Sequence, residues 1–342
     1  EIGFTVVSIT LVIVVVFVDS HCHLDRLELE KLGLTLEQVI AAAQAKHVEH
    51  MLCVCVSLAE FEQMQAQVAE FPMVSVSCGE HPLHQHDRIA PELLLKHCSQ
   101  AAVVAVGETG LDYFYAPDSK LSQQEAFVSH IQVANQLHKP LIIHTRDARA
   151  DTIALMRSHQ ADNAGGVLHC FTEDYDTAKA ALDLGFYISI SGIMTFRNAD
   201  ELRNVVKKLP LDRLLIETDA PYLAPVPYRG KTNQPAYVKY VAEEIAKLRG
   251  PVGLKIGSKT PPEIAISVMA EILGVKNGVH LHDSMAVAAA KDHLLSNLKS
   301  KKLAAQGRTL ADEFSSAGVF CLGILKERTH VRKFERKAWR CL

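Results

Sequence analysis

A chain of 342 residues, 48% hydrophobic and 22% charged, has enough apolar material for one large α/β domain or two smaller ones, and disorder over most of its length is excluded. The formal net charge is −3, unevenly spread: residues 251–342 hold 15 basic against 8 acidic side chains, and residues 1–250 hold 21 against 31. Phosphate contacts need positive charge, so the acidic portion does not read as a simple nucleic-acid-binding surface, although bound metal ions would reverse the local sign. The eight cysteines include no C-x-x-C pair, and several lie in apolar runs such as MLCVCV at 51–56, which points to buried, reduced thiols and a cytoplasmic protein.

Taken in chain order, the first eighteen residues are apolar but at the short limit for a membrane span, and they carry no Lys or Arg. They run straight into DSHCHLD, so 14–18 is read as a strand and 1–13 as an apolar N-terminal extension, with no membrane association. Further strands are predicted at 51–56, 73–78, 103–107, 140–144, 166–170, 186–190 and 213–217. Helical stretches fall at 35–49, 57–70, 90–100, 120–138, 147–160, 173–184, 198–208 and 235–249, the second opening with Ser57 and Glu60 in a capping-box pattern. Eight alternating units over 14–250 predict a (β/α)8 TIM-type barrel, an α/β fold. The Gly- and Pro-rich stretch at 250–263 marks a boundary, and 251–342 is read as a C-terminal helical appendage of unknown role with a basic end at 326–340.

Six side chains fall at the ends of these strands: His21 and His23, Glu108, His144, His169 and Asp219. The C-terminal ends of parallel barrel strands converge on one mouth, so residues far apart in sequence meet there. His-x-His on an extended chain puts both imidazoles on one side, where they grip one cation. The pattern alone is weak, because His84-x-His86 and His280-x-His282 share it and follow no strand end. Glu108 has Gly107 before it and Gly110 two residues after it, a setting for close backbone approach. A carboxylate there bridges two divalent ions about 3.5–4 Å apart. His144 and His169 each follow an apolar triplet, and the alternative for either is a core imidazole bonded to a carbonyl. Asp219, with Glu217 as a supporting carboxylate two residues earlier, has the chemistry of a general base acting on a water beside a cation.

The segments DSHCHLD, GEHP, GETGLDY, HTRDA, HCFT, ETDAPYL and YRGKTNQP, in this order over 18–249, resemble the TatD family of metal-dependent deoxyribonucleases of the amidohydrolase superfamily. The resemblance implies two divalent ions (Mg²⁺, Mn²⁺ or Zn²⁺), one held by His21, His23 and Asp219, the other by His144 and His169, with Glu108 bridging. It further implies hydrolysis of DNA phosphodiesters, including trimming from the 3′ end, by a hydroxide held on the ions, with Asp219 and Glu108 as the catalytic residues. DNA is then the substrate, and no stable protein partner is expected. Arg146, His81, Tyr113, Arg229 and Asn233 are the candidate substrate contacts, with a salt bridge to Asp147 or Glu108 as the alternative for Arg146. Two rivals stay open: an amidohydrolase cleaving a C–N or C–O bond of a small substrate, and a non-catalytic metal-binding interaction protein. The family's closing T-x-N-F-like motif is not found after Arg249.

Overall fold

The computed structural model describes residues 16–84 and 90–249, so the expected N-terminal extension and C-terminal appendage lie outside it. Each β-branched run becomes a strand: β1 (Phe17–Cys22), β2 (Val48–Cys53), β3 (Val74–Cys78), β4 (Val103–Asp112), β5 (Leu141–Arg146), β6 (Gly166–Leu168), β7 (Tyr187–Ile190) and β8 (Leu214–Ile216). They pair in parallel in sequence order, β1 through β8. Between them lie α1 (Leu29–Leu32), α2 (Leu36–Gln44), α3 (Phe61–Val68), α4 (Pro91–Cys98), α5 (Lys120–Leu137), α6 (Arg149–Ser158), α7 (Tyr175–Asp183) and α8 (Asp200–Val206), and α9 (Val238–Arg249) follows β8. Glu243–Arg249, the end of α9, belong to a second unit of the chain whose remainder lies outside the described residues. No described helix is long and apolar enough to cross a membrane.

Closure of the barrel depends on the seam between β1 and β8, where no regular ladder forms. Three features replace it. Cys22 and Ala220 form a parallel bridge, His23 N donates to Ala220 O at 2.7 Å, and Asp219 N donates to His21 O at 2.9 Å. Below them the buried Asp19 carboxylate accepts from Thr218 N at 2.8 Å and from Thr218 Oγ1 at 2.5 Å. Burial lifts the Asp19 carboxyl to about 8. Leu52, Ala105, Ile142 and Val167 from four strands, with Val54 just after β2, form one apolar cluster, as expected where alternate residues of barrel strands point inward.

Local details differ from expectation in several places, and β2 (Val48–Cys53) begins three residues ahead of the predicted 51–56. β1 starts later than 14–18 and contains His21, while β4 continues past Glu108 to Asp112. A bulge makes this extension possible: Val106 pairs with Leu141 but Thr109 with Ile143, so β4 has one residue more than its partner. The capping box is at α2, where Thr35 Oγ1 accepts from Gln38 N and Gln38 Oε1 accepts from Thr35 N. Ser57 and Glu60 form none; the chain turns once after β2, with Leu58 N held by Glu80 Oε2 at 2.6 Å, and α3 starts only at Phe61.

One buried histidine outside the mouth links a helix to the sheet. His130 on α5 bonds through Nδ1 to Ala126 O at 2.7 Å, and its Nε2 accepts from Glu80 N at 3.0 Å, next to His81. Burial drives its imidazole down to about 4. Because the folded value lies below the unfolded one of about 6.5, the unfolded chain binds more protons between these values. Stability from this group is therefore complete above about pH 6.5 and falls as pH drops toward 4, by about 3 kcal/mol. His130→Gln preserves a donor and an acceptor but has no titration, so urea midpoints measured at pH 7 and pH 4.5 should differ less in the variant than in the wild type.

Candidate metal centre

The strand ladders aim the six predicted ligands. Glu108 N donates to Cys55 O at 2.9 Å, His169 N to Ile143 O at 3.0 Å, and Asp219 N and His23 N make the seam bonds described above. His169, Asp219 and His23 are thereby pinned through their own backbones to the adjoining strand or seam, and Glu108 to the chain just beyond β2, one strand further round the rim. Gly79 and Gly110 let the rim draw together: a Cβ on Gly79 would lie 2.5 Å from Gly107 Cα, and one on Gly110 would lie 2.0 Å from His144 O.

Glu108 stands at the centre of the cluster, almost fully buried. Its Oε2 lies 3.3 Å from His21 Nε2 and 3.9 Å from His23 Nε2. Asp219 Oδ1 is 3.7 and 3.4 Å from the same two nitrogens, which are 3.2 Å apart. Four donors bound at 2.0–2.2 Å around one tetrahedral ion lie about 3.3–3.6 Å from one another, which is the spacing seen here. Glu108 Oε1 faces another set: His169 Nε2 at 2.7 Å, His144 Nδ1 at 3.3 Å and His81 Nε2 at 3.3 Å. One carboxylate thus addresses two separate groups of nitrogens.

Metal ions fit this arrangement on two grounds. Nε2 of His169, which faces Glu108 Oε1, is buried without a hydrogen-bond partner, the close contact between the two being out of line for one. Buried nitrogens of this kind are costly unless something binds their lone pairs. The second ground is charge. Burial opposes ionisation of Glu108, yet the imidazoles of His169, His81 and His144 hold its carboxyl well below its usual range. Asp219 is also held low, burial being outweighed by His23 and His21. In return, burial works against the imidazolium of His23 but Asp219 and Glu108 lift it to about 9, and Glu108 with Glu217 raises His169 well above its ordinary value. His21, stacked on His169 with centroids 3.9 Å apart, is instead pushed down by burial and by His169. The buried carboxylates call for positive charge among these nitrogens, and divalent cations supply it.

Supporting contacts set the tautomers. His23 Nδ1 bonds to Val54 O at 2.9 Å, leaving Nε2 to face the cluster. His144 Nε2 lies 3.1 Å from Asp112 Oδ2, leaving Nδ1 to face Glu108. Asp112 was not singled out in the sequence; its place in GETGLDY, four residues after Glu108, was the available signal. Glu217 does not support Asp219. It accepts from Ser189 Oγ at 2.5 Å and Cys170 N at 2.7 Å, and lies behind His169 at 3.4 Å.

The candidate substrate residues divide. His81 sits within the cluster, with Nδ1 accepting from Leu83 N and Nε2 on Glu108. Arg146 is exposed and forms neither expected salt bridge; its guanidinium stacks 4.5 Å from the ring centroids of both Phe114 and Tyr115. Arg229 lies over Phe196 at 3.6 Å. Tyr113 is turned from the cluster, its hydroxyl donating to Asp151 Oδ2 at 2.8 Å and accepting from Gln124 at 2.7 Å. Asn233 is fully buried: its Nδ2 donates to Thr218 O at 2.8 Å and Tyr222 O at 2.6 Å, clamping the loop that carries Asp219. Asn233→Ala should therefore lower the unfolding free energy by about 1–3 kcal/mol in urea titrations, since two carbonyls lose their donor.

A rim of histidines and carboxylates on a parallel β/α barrel, built around one two-faced glutamate, defines a metal-dependent hydrolase of the barrel type. The family model described as TatD related DNase matches residues 18–272, and the chain belongs to that family. It is 55% identical to the uncharacterized metal-dependent hydrolase YcfH of Escherichia coli K12, over 68% of this chain and 88% of that protein. It is 34% identical to the 3′-5′ ssDNA/RNA exonuclease TatD of Escherichia fergusonii, over 63% of this chain and 85% of that one. Among solved structures, the TatD homologue YjjV of E. coli K12 superposes with a TM-score of 0.63 at 27% identity, covering 75% of this chain and 95% of that one.

Proposed function

We propose that this chain is a divalent-metal-dependent nuclease that hydrolyses phosphodiester bonds in DNA and works from the 3′ end. The observation that carries this reading is that the two oxygens of Glu108 face two distinct sets of imidazoles, the layout of a two-ion site. His21, His23 and Asp219 would hold one ion, His144 and His169 the second, and Glu108 both. The ions supply positive charge at the phosphoryl oxygens and Lewis acidity toward water. Asp219, the more exposed of the two central carboxylates, takes the proton of the attacking water. Asp112 keeps His144 in the tautomer that presents Nδ1 to the centre. Support for DNA cleavage and its polarity comes from the related exonuclease. The free, mostly buried cysteines of the described residues suit a reducing cytoplasm.

The test is digestion of 5′- and 3′-labelled single- and double-stranded DNA by the purified chain with Mg²⁺, Mn²⁺ or Zn²⁺, with a chelator control. Metal-dependent shortening from the 3′ end, lost in Asp219→Asn and His144→Ala, is the expected result. Retention of most activity in either variant, or turnover of cyclic amides and lactones in place of DNA, would overturn the proposal.

A further inference from the structure

Two large aromatic side chains stand in solvent beside the centre without covering any core: Phe114 is 58% exposed and Tyr115 60%. Their rings meet edge to face at 4.8 Å, and the Arg146 guanidinium lies 4.5 Å from both centroids. That guanidinium makes no hydrogen bond or ion pair among the described residues, so its donors are directed at no protein acceptor. The group is tied to the centre by one carboxylate: Asp112 Oδ1 accepts from Phe114 N at 3.1 Å and Tyr115 N at 2.8 Å, while Oδ2 is 3.1 Å from His144 Nε2. Arg146 is two residues beyond His144 and pairs across the ladder with Asp112. Phe114, two residues from Asp112, therefore has its Cα within about 7 Å of the Asp112 Cα. On the opposite side of the mouth Tyr222 is 52% exposed, with its ring 6.1 Å from that of His23.

Exposed aromatic faces beside an unneutralised guanidinium match a ligand that alternates flat π-surfaces with anionic groups, which is an unpaired nucleotide strand. We propose that Phe114, Tyr115 and Arg146 form a nucleotide subsite next to the metal centre, with the rings stacking on an unpaired base and Arg146 taking an adjacent phosphate. The subsite rests on the nuclease reading and adds a requirement to it: the bases flanking the scissile bond must be unstacked from a complement before the phosphate reaches the centre. Arg146 and the two rings are positioning residues, acting through binding and not on the reacting atoms.

The experiment measures binding of a fluorescein-labelled single-stranded oligodeoxynucleotide to the metal-loaded chain by anisotropy, alongside hydrolysis of the same oligonucleotide and of methyl p-nitrophenyl phosphate. In the double variant Phe114→Ala/Tyr115→Ala, Kd and KM for the oligonucleotide should rise on the order of 10- to 100-fold with kcat little changed, given the strength of base stacking. Turnover of the base-free diester should stay within about two-fold, where a general structural role would reduce both. An oligonucleotide with abasic nucleotides near its 3′ end should bind the wild type as weakly as the intact one binds the variant. Arg146→Gln should weaken oligonucleotide binding and reduce its salt dependence by about one phosphate contact. Unchanged Kd in the double variant, or equal losses on both substrates, overturns the subsite. Failure of the wild type to cleave either substrate overturns the nuclease reading, and the binding comparison still decides the subsite.

Discussion

On the two-ion nuclease reading proposed above, Glu108→Gln is expected to reduce DNA hydrolysis by at least about 10³-fold and to lower the bound metal from about two ions per chain to fewer than one. The amide is neutral and keeps one oxygen acceptor while its nitrogen offers no lone pair, so neither nitrogen group around Glu108 retains an anionic partner and only one retains an oxygen ligand. The same change removes a buried charge from a site with almost no solvent contact. Thermal melting of the chelator-treated protein at neutral pH should show a loss of stability, because burial is more than offset by the imidazoles of His169, His81 and His144, which hold this carboxyl well below its usual range, and a carboxylate more acidic in the folded than in the unfolded chain contributes to folding. Metal analysis by mass spectrometry, melting and digestion on one preparation give the three readouts together. A variant that keeps both ions and more than a tenth of the activity would remove Glu108 from the centre of the mechanism.

Gly110→Ala is expected to be the most damaging single methyl in the barrel. The residue has φ +132°, a conformation that side-chain-bearing residues rarely adopt, and the added Cβ would lie 2.0 Å from the backbone oxygen of His144. Neither β4 nor β5 has room to move away, since Gly110 pairs directly with His144 in the ladder. We expect a loss of about 3 kcal/mol or more in urea unfolding, together with loss of metal as His144 is displaced. Gly33→Ala is the matched control: its φ is +64° but nothing lies within 4 Å of the added carbon. There only the backbone preference is lost, about 1 kcal/mol. Equal effects at the two positions would show that crowding between β4 and β5 does not set the position of His144.

Much of this molecule was legible in the chain because two periodicities carry the information. Alternating apolar runs and helical stretches identify eight βα units, and short connections leave parallel neighbours as the available pairing, so the barrel and its mouth follow. The six central side chains were legible for the same reason: each lies at or just after the end of a predicted apolar run, and the C-terminal halves of the strands converge, although Glu108 proves to lie inside a longer β4. Direction was not legible. His81 and Tyr113 both follow strands, yet His81 joins the cluster on Glu108 and Tyr113 turns to Asp151, because the loop after β3 and the extension of β4 orient them differently. Asn233 reads like a loop residue within reach of a substrate, and only the folded loop shows its amide consumed by two carbonyls.

The amino-acid sequence by itself determined the order of the strands, the chemical types at their ends and the glycines that let β3, β4 and β5 approach. Tertiary structure alone decided that a one-residue bulge in β4 carries the strand past Glu108 to Asp112, where one carboxylate holds both His144 and the Phe114–Tyr115 turn. It also decided that β1 and β8 close on each other through His21, His23 and Asp219 and not through a regular ladder. The physical reason is that residue types and periodicity are local properties of the chain, whereas a register shift and a barrel seam are settled by which distant backbone donors and acceptors remain unpaired once the other strands are in place.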